Sequence, residues 1–190
     1  DGEAAWTCGS VEDYDAVVEV LVERGVRSVE LTLSTPGTLE HLPSLLARFG
    51  SKAEIGIGTI TDLEQARRAI DGGARYLVTP VMNLEVVALA VRHGVAVYPG
   101  GLTPTELCAG WLAGATAVKI FPAETVGPRY ATHLRGPFPD LEFVPSGGIG
   151  LDPQKALLER DLGEIGGEGR PQGGRAFGGS GGRGLGGERL

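Results

Sequence analysis

One lysine lies inside an otherwise apolar stretch of the sequence, Ala115–Glu124, which reads ATAVKIFPAE. Side chains of a β-strand alternate between its two faces, so Lys119 and Phe121 share one face. Val118 and Ile120 fall on the other face, which suits packing against helices. Burial disfavours the charged form of a lysine, and the free amine is the form that attacks a carbonyl to make a Schiff base. Lys119 is therefore a candidate nucleophile; the alternative is a lysine that reaches from a strand edge into water.

A second segment places polar side chains on one face of a predicted strand. Val29–Ser34 alternates strictly, so Glu30, Thr32 and Ser34 share one side. A parallel strand covered on both faces is normally apolar on both, so this pattern predicts a polar barrel interior. Glu30 would be a suitable general acid and base beside an amine. The alternative is an exposed edge strand with a solvated polar face.

Two further segments end predicted strands with glycines and a hydroxyl group. They are Gly56–Thr59 and Pro145–Ile149. Glycines let backbone N–H groups approach an anion closely, and the hydroxyl adds another hydrogen-bond partner. Both segments are candidate anion sites, although ordinary turns at strand ends are the commoner meaning of such glycines.

The elements that must position these residues repeat every 20 to 25 residues, each short apolar strand being followed by a helix. The predicted strands are 26–33, 53–59, 74–79, 95–98, 115–121 and 141–145. Alternating units of this kind predict a parallel sheet, and their even spacing favours a closed (β/α) TIM-type barrel, whose active sites lie at the carboxyl ends of the strands. No GxGxxG segment follows a strand, which disfavours a dinucleotide-binding fold.

The two ends of the chain differ from the middle. At 190 residues the chain is short for an eight-fold barrel, which needs about 200 or more. We find no convincing strand in residues 1–10, an atypical N-terminal segment, and assign the barrel domain to residues 11–160. Residues 161–190 contain 13 of the 32 glycines, and such a Gly/Arg-rich composition predicts a flexible tail. The barrel is thus expected to be incomplete, with its first and last strands atypical or missing.

Composition excludes several classes of partner. The net charge of −7 argues against nucleic acid, because a phosphate backbone requires a basic face. No apolar run approaches the roughly 18 residues of a membrane span. The first ten residues lack the features of a signal peptide, and two isolated cysteines indicate neither a disulfide framework nor a zinc site. A reducing, cytoplasmic location is the expectation.

Taken together, the segments resemble the 2-keto-3-deoxy-6-phosphogluconate aldolase family, which includes 4-hydroxy-2-oxoglutarate aldolases. The lysine segment resembles the family motif K-F-F-P-A-E, and the match runs over roughly 11–159 in family order and spacing. The segments that carry it are Gly25-Val26-Arg27, Glu30-Leu31-Thr32-Leu33, Gly56-Ile57-Gly58-Thr59, Pro99-Gly100, Thr103-Pro104-Thr105-Glu106, Lys119-Ile120-Phe121-Pro122-Ala123-Glu124 and Pro145-Ser146-Gly147-Gly148-Ile149.

The resemblance implies a class I aldolase with no metal or other cofactor, usually a trimer, in the Entner–Doudoroff pathway of carbohydrate breakdown. The implied reaction cleaves 2-dehydro-3-deoxy-6-phosphogluconate, a small phosphorylated 2-keto acid, into pyruvate and glyceraldehyde 3-phosphate. By resemblance, Lys119 is the Schiff-base lysine and Glu30 the carboxylate that moves protons. The residues expected to bind substrate are Thr59 at the pyruvyl carboxylate, Pro80 and Phe121 around the keto acid, and Ser146, Gly147 and Gly148 at the phosphate.

Three departures from the family keep other hypotheses open. Ser34, a further candidate substrate contact, stands where the family usually has an arginine that binds the substrate carboxylate. The related 6-phosphogalactonate aldolases also lack that arginine, so their substrate is an alternative. No apolar strand precedes Gly178-Gly179-Ser180, the nearest match to the family's last phosphate-binding segment, and the first strand is also unrecognisable. A catalytically impaired, truncated family member and a phosphate-binding barrel isomerase, which would not need the lysine, are the remaining alternatives.

Overall fold

Seven parallel strands alternate with helices in residues 3–6 and 8–148, the part of the chain that the computed structural model describes. The strands are β1 (Glu3–Trp6), β2 (Ser28–Thr32), β3 (Glu54–Gly58), β4 (Tyr76–Thr79), β5 (Ala96–Gly101), β6 (Val118–Ile120) and β7 (Phe143–Pro145). The helices are α1 (Glu12–Glu23), α2 (Thr38–Phe49), α3 (Leu63–Asp71), α4 (Leu84–Arg92), α5 (Pro104–Leu112), α6 (Ala123–Val126) and α7 (Arg129–Arg135).

The strands form one sheet whose spatial order follows the chain from β1 to β7, with every neighbouring pair parallel. This sequential order is that of a (β/α) barrel, because each crossover returns the chain beside the strand it has just left. Within the described residues no pairing closes the sheet between β7 and β1. The predicted α/β class and TIM-type barrel architecture are thus confirmed.

The prediction that no strand precedes Val11 is wrong. β1 pairs in parallel with β2, from Glu3 opposite Ser28 to Trp6 opposite Leu31. Sequence patterns are weak for a strand of four residues, because strand preference depends mainly on the neighbours that a strand meets in the sheet. The Gly178-Gly179-Ser180 segment and the tail over 161–190 lie outside the described residues.

The hydrophobic core lies between the outer face of the sheet and the helices. Eight aliphatic strand residues on that face are at most 2% exposed, and each contributes about 1.5–3 kcal/mol on burial. They are Val29, Leu31, Ile55, Ile57, Leu77, Val97, Val118 and Ile120. The core therefore holds the strands by one face and leaves the other face for the barrel interior.

Side-chain caps fix the start of three helices at the carboxyl ends of strands. Asp62 accepts a hydrogen bond from the backbone N–H of Gln65 in α3, and Asn83 caps α4 in the same manner. Thr103 and Glu106 form a capping box at the start of α5. Each cap stabilises its helix by about 1 kcal/mol. No helix in the described part of the chain combines the length and apolarity needed to cross a bilayer.

Candidate active site

Glu30 projects from β2 into the barrel interior and is only 5% exposed. Its carboxyl group occupies space that a side chain at position 58 of β3 would need, since a Cβ built on Gly58 would lie 1.6 Å from Oε1 of Glu30. Burial raises the pKa of Glu30 above its ordinary value, and the positive charge of Lys119 counters part of that increase. Glu30 is therefore a carboxyl group whose proton is held more tightly than in water.

Lys119 lies in β6, opposite Gly100 of β5 and Val144 of β7. The two residues beside it in β6 are buried in the core against helices, so Lys119 points to the opposite, inner face. The predicted division of this strand into two faces is thus confirmed. Lys119 and Glu30 thus both lie on the inner face of the sheet, and the charge of Lys119 lowers the pKa of Glu30.

Phe121 joins the lysine to the loop that follows β7. Nζ of Lys119 lies 5.3 Å from the centroid of the Phe121 ring. One edge of the ring packs against Gly147, where a Cβ would lie 3.0 Å from the ring. Phe121 is half-buried, so its ring forms a wall between the amine and the end of β7.

Thr59 follows the last residue of β3 and has a left-handed backbone conformation, with φ of 61°. This conformation is unusual for a β-branched residue and costs of order 1–3 kcal/mol, a cost that is typically found at functional sites. Pro80 directly follows β4 and is packed closely against Gly100, where a Cβ would lie 2.7 Å from the Pro80 carbonyl oxygen. Both predicted residues therefore lie at the carboxyl end of the sheet.

The predicted phosphate loop, Ser146 to Gly148, is held by backbone hydrogen bonds to the end of β6 and the start of α6. The Ser146 N–H donates to the Ile120 carbonyl, while the Ala123 N–H donates to the Ser146 carbonyl. Gly147 and Gly148 have φ values of +87° and +74°. Glycine adopts such left-handed values at little cost, so the two residues allow the chain to turn sharply after β7. Ile149 lies outside the described residues.

Ser34 is not part of the strand face predicted for it. β2 ends at Thr32, and Ser34 lies exposed in the turn that follows. The turn forms because Thr38 donates its hydroxyl hydrogen bond to the carbonyls of Thr32 and Thr35, while the Tyr14 hydroxyl donates to Oγ1 of Thr35. Ser34 still lies at the carboxyl end of the sheet, and its contact with substrate stays a prediction.

Sequence reasoning missed a group of side chains deeper in the interior. The Ser28 hydroxyl donates to the Tyr76 hydroxyl over 3.0 Å. The rings of Tyr76 and Tyr98 meet edge to face, with centroids 5.8 Å apart. Alternation along β4 and β5 could have placed both tyrosines on the inner face, but not against each other. They lie toward the amino ends of the strands, away from the open end where Thr59 and Ser146 lie.

This interior can support proton transfer beside an amine. A carboxyl group with a raised pKa can serve as both acid and base near neutrality, and an amine can form a covalent adduct with a carbonyl compound. The glycine loop lies at the open end of this interior. Among the described residues there is no cluster of three histidine, cysteine or acidic side chains able to hold a metal ion.

Comparison with known proteins agrees with this geometry. The family model for KDPG and KHG aldolases matches residues 6–168. A 2-dehydro-3-deoxy-6-phosphogalactonate aldolase of Escherichia coli strain K12 is 36% identical over 70% of this chain and 66% of its own. A 2-dehydro-3-deoxy-phosphogluconate aldolase of Treponema pallidum is 34% identical over 77% of this chain and 70% of its own. The chain therefore spans just under two thirds of the first relative.

Among solved structures, a KDPG aldolase of Legionella pneumophila, captured with pyruvate as a covalent carbinolamine, superimposes with a TM-score of 0.72. That likeness covers 84% of this chain and 76% of the other, at 27% sequence identity.

Proposed function

The chain belongs to the KDPG and KHG aldolase family, and from that premise we propose that it is a class I, Schiff-base aldolase. Its proposed reaction is the cleavage of 2-dehydro-3-deoxy-6-phosphogluconate into pyruvate and glyceraldehyde 3-phosphate. The observation that carries the proposal is that Lys119 and the buried carboxyl group of Glu30 both lie on the inner face of the sheet. The covalent carbinolamine of the Legionella pneumophila relative supports the same chemistry.

The proposed first half of the reaction uses both residues. The free amine of Lys119 attacks the C2 carbonyl of the substrate and forms a carbinolamine. Glu30 donates a proton to the C2 hydroxyl, which leaves as water, and the result is a protonated Schiff base. Because Glu30 is buried, it retains this proton at a pH at which an exposed glutamate has lost it.

In the proposed second half, the protonated Schiff base accepts electrons. Glu30, now ionised, takes the proton of the C4 hydroxyl, the C3–C4 bond breaks, and the electron pair of that bond moves into the C2–N system. Glyceraldehyde 3-phosphate leaves and an enamine remains on Lys119. Glu30 then protonates C3 of the enamine, and water hydrolyses the new Schiff base to release pyruvate and the free amine.

The other predicted residues are assigned to substrate binding in this proposal. Thr59 would contact the pyruvyl carboxylate, while Pro80 and Phe121 would enclose the keto acid. The Ser146–Gly148 loop would bind the phosphate. We also propose a trimeric assembly, a cytoplasmic location and a role in the Entner–Doudoroff pathway.

The galactonate epimer is the second candidate substrate. The turn after β2 carries exposed Ser34 rather than a cationic side chain, and the Escherichia coli relative is named for 2-dehydro-3-deoxy-6-phosphogalactonate. Pyruvate release from the two C4 epimers and from 4-hydroxy-2-oxoglutarate, compared as kcat/KM, discriminates among these substrates. Release from none of them by a cooperatively folded chain would favour the catalytically impaired alternative.

Covalent trapping tests the central proposal. Borohydride added with pyruvate should reduce the Schiff base to a stable secondary amine on Lys119, identified by peptide mass spectrometry. The Lys119→Arg variant keeps the positive charge but should give no adduct and lose activity by roughly 10⁴-fold or more, as expected when a nucleophile is removed. An unmodified Lys119 in the wild-type protein would contradict the aldolase proposal.

A further inference from the structure

Tyr76 spans the inner face of three strands. It belongs to β4, and its ring covers Gly56 of β3, where a Cβ would lie 2.2–2.4 Å from three ring atoms. Its hydroxyl accepts the hydrogen bond of Ser28 in β2. The side chain therefore extends from β4 across β3 to β2, and it is only 3% exposed.

Glu30 lies in the next layer of the interior, toward the carboxyl ends of the strands. In the sheet, Glu30 is opposite Gly56, while its carboxyl group lies over Gly58, two residues further along β3. The Tyr76 ring occupies the space over Gly56 and is thus directly beneath the carboxyl group. Tyr98 of β5 meets the Tyr76 ring edge-on. It extends the same layer to β5, the strand that pairs with β6, in which Lys119 lies.

The groups that face Glu30 explain why this layer influences its protonation. On the side of Glu30 toward the amino ends of the strands, β3 presents glycines, β4 presents Tyr76 and β5 presents Tyr98. None of these residues is charged. β6 presents Lys119, which favours the ionised carboxyl group. Burial outweighs the lysine and raises the pKa of Glu30. Removal of the ring beneath would let water reach the carboxyl group and weaken the dominant cause of the shift.

We propose that Tyr76, held by Ser28 and Tyr98, is a positioning residue that forms a floor beneath Glu30 and excludes water from its carboxyl group. The role extends the proposed function, because it sets the pH range in which Glu30 can exchange protons with a substrate bound to Lys119. The ring performs the covering, while packing against Gly56 and the Tyr98 ring keeps it in place and the hydroxyl bonds Ser28 at the far end.

Carboxyl-carbon NMR on protein labelled with ¹³C at the glutamate side chains measures the titration of Glu30 without any turnover. The Glu30→Gln variant assigns the signal by its absence. We expect the Glu30 midpoint to fall by about one pH unit in Tyr76→Ala, since solvation of a buried carboxyl group lowers its pKa. Tyr76→Phe retains the ring and should keep the wild-type midpoint within a few tenths of a unit.

Leu77→Ala is the matched control, because Leu77 is the next residue of β4, is fully buried and faces the helices. It should lower stability without moving the Glu30 midpoint. If Tyr76→Ala does not fold, Tyr76→Leu provides the same comparison. An unchanged midpoint in the folded Tyr76 variant, or an equal shift in Tyr76→Phe, would overturn the proposal.

Solvent deuterium exchange into the methyl group of pyruvate is the catalytic readout. The exchange rate should rise with pH as Glu30 ionises. The midpoint of this rise, the acid limb of the pH profile, should move to lower pH in Tyr76→Ala by the same amount as the NMR midpoint. If the wild-type protein shows no exchange, the proposed aldolase function fails, whereas the NMR comparison still decides the role of Tyr76. If exchange occurs in all variants with one unchanged acid limb, the floor fails and the aldolase proposal stands.

Discussion

Two glycines of this protein each have a glutamate carboxyl group where a Cβ would lie, but in different surroundings. At Gly58, inside the barrel, the Cβ would lie 1.6 Å from Oε1 of Glu30. At Gly148, in the loop after β7, it would lie 2.2 Å from Oε2 of Glu124. Glu30 is buried, whereas Glu124 is exposed.

The difference shows that a glycine can be required for two reasons. It can leave room for a neighbouring side chain, or it can adopt a backbone conformation that other residues rarely adopt. Gly58 lies in a regular strand, so its backbone conformation does not require glycine. The lack of a side chain there matters only because it leaves room for Glu30. Gly148 has φ of +74°, a conformation that glycine adopts at little cost. The interior pair, Gly58 and Glu30, is therefore fixed by packing. In the loop pair, Gly148 and Glu124, the glycine meets a backbone requirement and the carboxylate is exposed to solvent.

The Gly58→Ala variant tests the interior pair and has the largest expected effect of these comparisons. Glu30 cannot yield to the new methyl group without leaving its buried position, because it is only 5% exposed. We expect activity to fall roughly 100-fold or more, as for a misplaced catalytic group, with a loss of about 1–3 kcal/mol in unfolding free energy. Steady-state kinetics and urea denaturation measure the two effects.

Gly136→Ala serves as the control for an added methyl group. Gly136 has an ordinary helical φ of −57°, and a Cβ there would meet its nearest neighbour at 3.5 Å. Its activity should equal that of the wild type. If Gly58→Ala retained wild-type activity, the carboxyl group would not depend on the space above that glycine.

Stability against pH gives a second, smaller test of the interior pair. Because burial raises the pKa of Glu30, the folded state holds this proton more tightly than the unfolded chain does. The resulting stabilisation is complete below the unfolded pKa of about 4.3 and is lost as pH rises through the higher folded pKa. Relative to Glu30→Gln, the wild type should therefore lose stability as pH increases. Urea denaturation between pH 4 and pH 8 measures this difference.

Glu106→Gln should show the opposite trend and so checks the sign. Hydrogen bonds from Thr103 and Leu102 lower the pKa of Glu106, so its contribution is present at higher pH and lost as pH falls. A difference between wild type and Glu30→Gln that stayed constant with pH would show that burial does not control the Glu30 carboxyl group.

Strand alternation alone predicted which side chains of β2 and β6 face the barrel interior. A single lysine among small and apolar neighbours defines the inner face of β6, and the polar alternation of β2 does the same for Glu30. The resemblance added the roles of Thr59 and the Ser146–Gly148 loop. The inner-face positions could be predicted because each depends on residues close together in the chain, whereas the roles of Thr59 and the loop stay predictions.

The failures involve relations between distant segments. β1 forms through its pairing with β2, which a four-residue pattern does not reveal. Ser34 is not on the strand face because β2 ends at Thr32, where the Thr38 hydroxyl, further along the chain, bonds the carbonyls of Thr32 and Thr35. The tyrosine floor depends on the register between β2, β3 and β4, and the room over Gly56 and Gly58 is evident only once that register is known.

Glu124→Gln tests the loop pair, Gly148 and Glu124, and has the smallest expected effect. Its carboxylate lies beside the loop proposed to bind phosphate, so removal of the charge should lower KM for a phosphorylated substrate by about two- to five-fold, the scale of exposed charge pairs. The kcat value should not change, because Lys119 and Glu30 are untouched. Trapping of pyruvate, which carries no phosphate, should show the wild-type concentration dependence. The gain should shrink as salt is added, since salt screens exposed charges; a gain that persisted at high salt would assign the effect to loop geometry instead of charge.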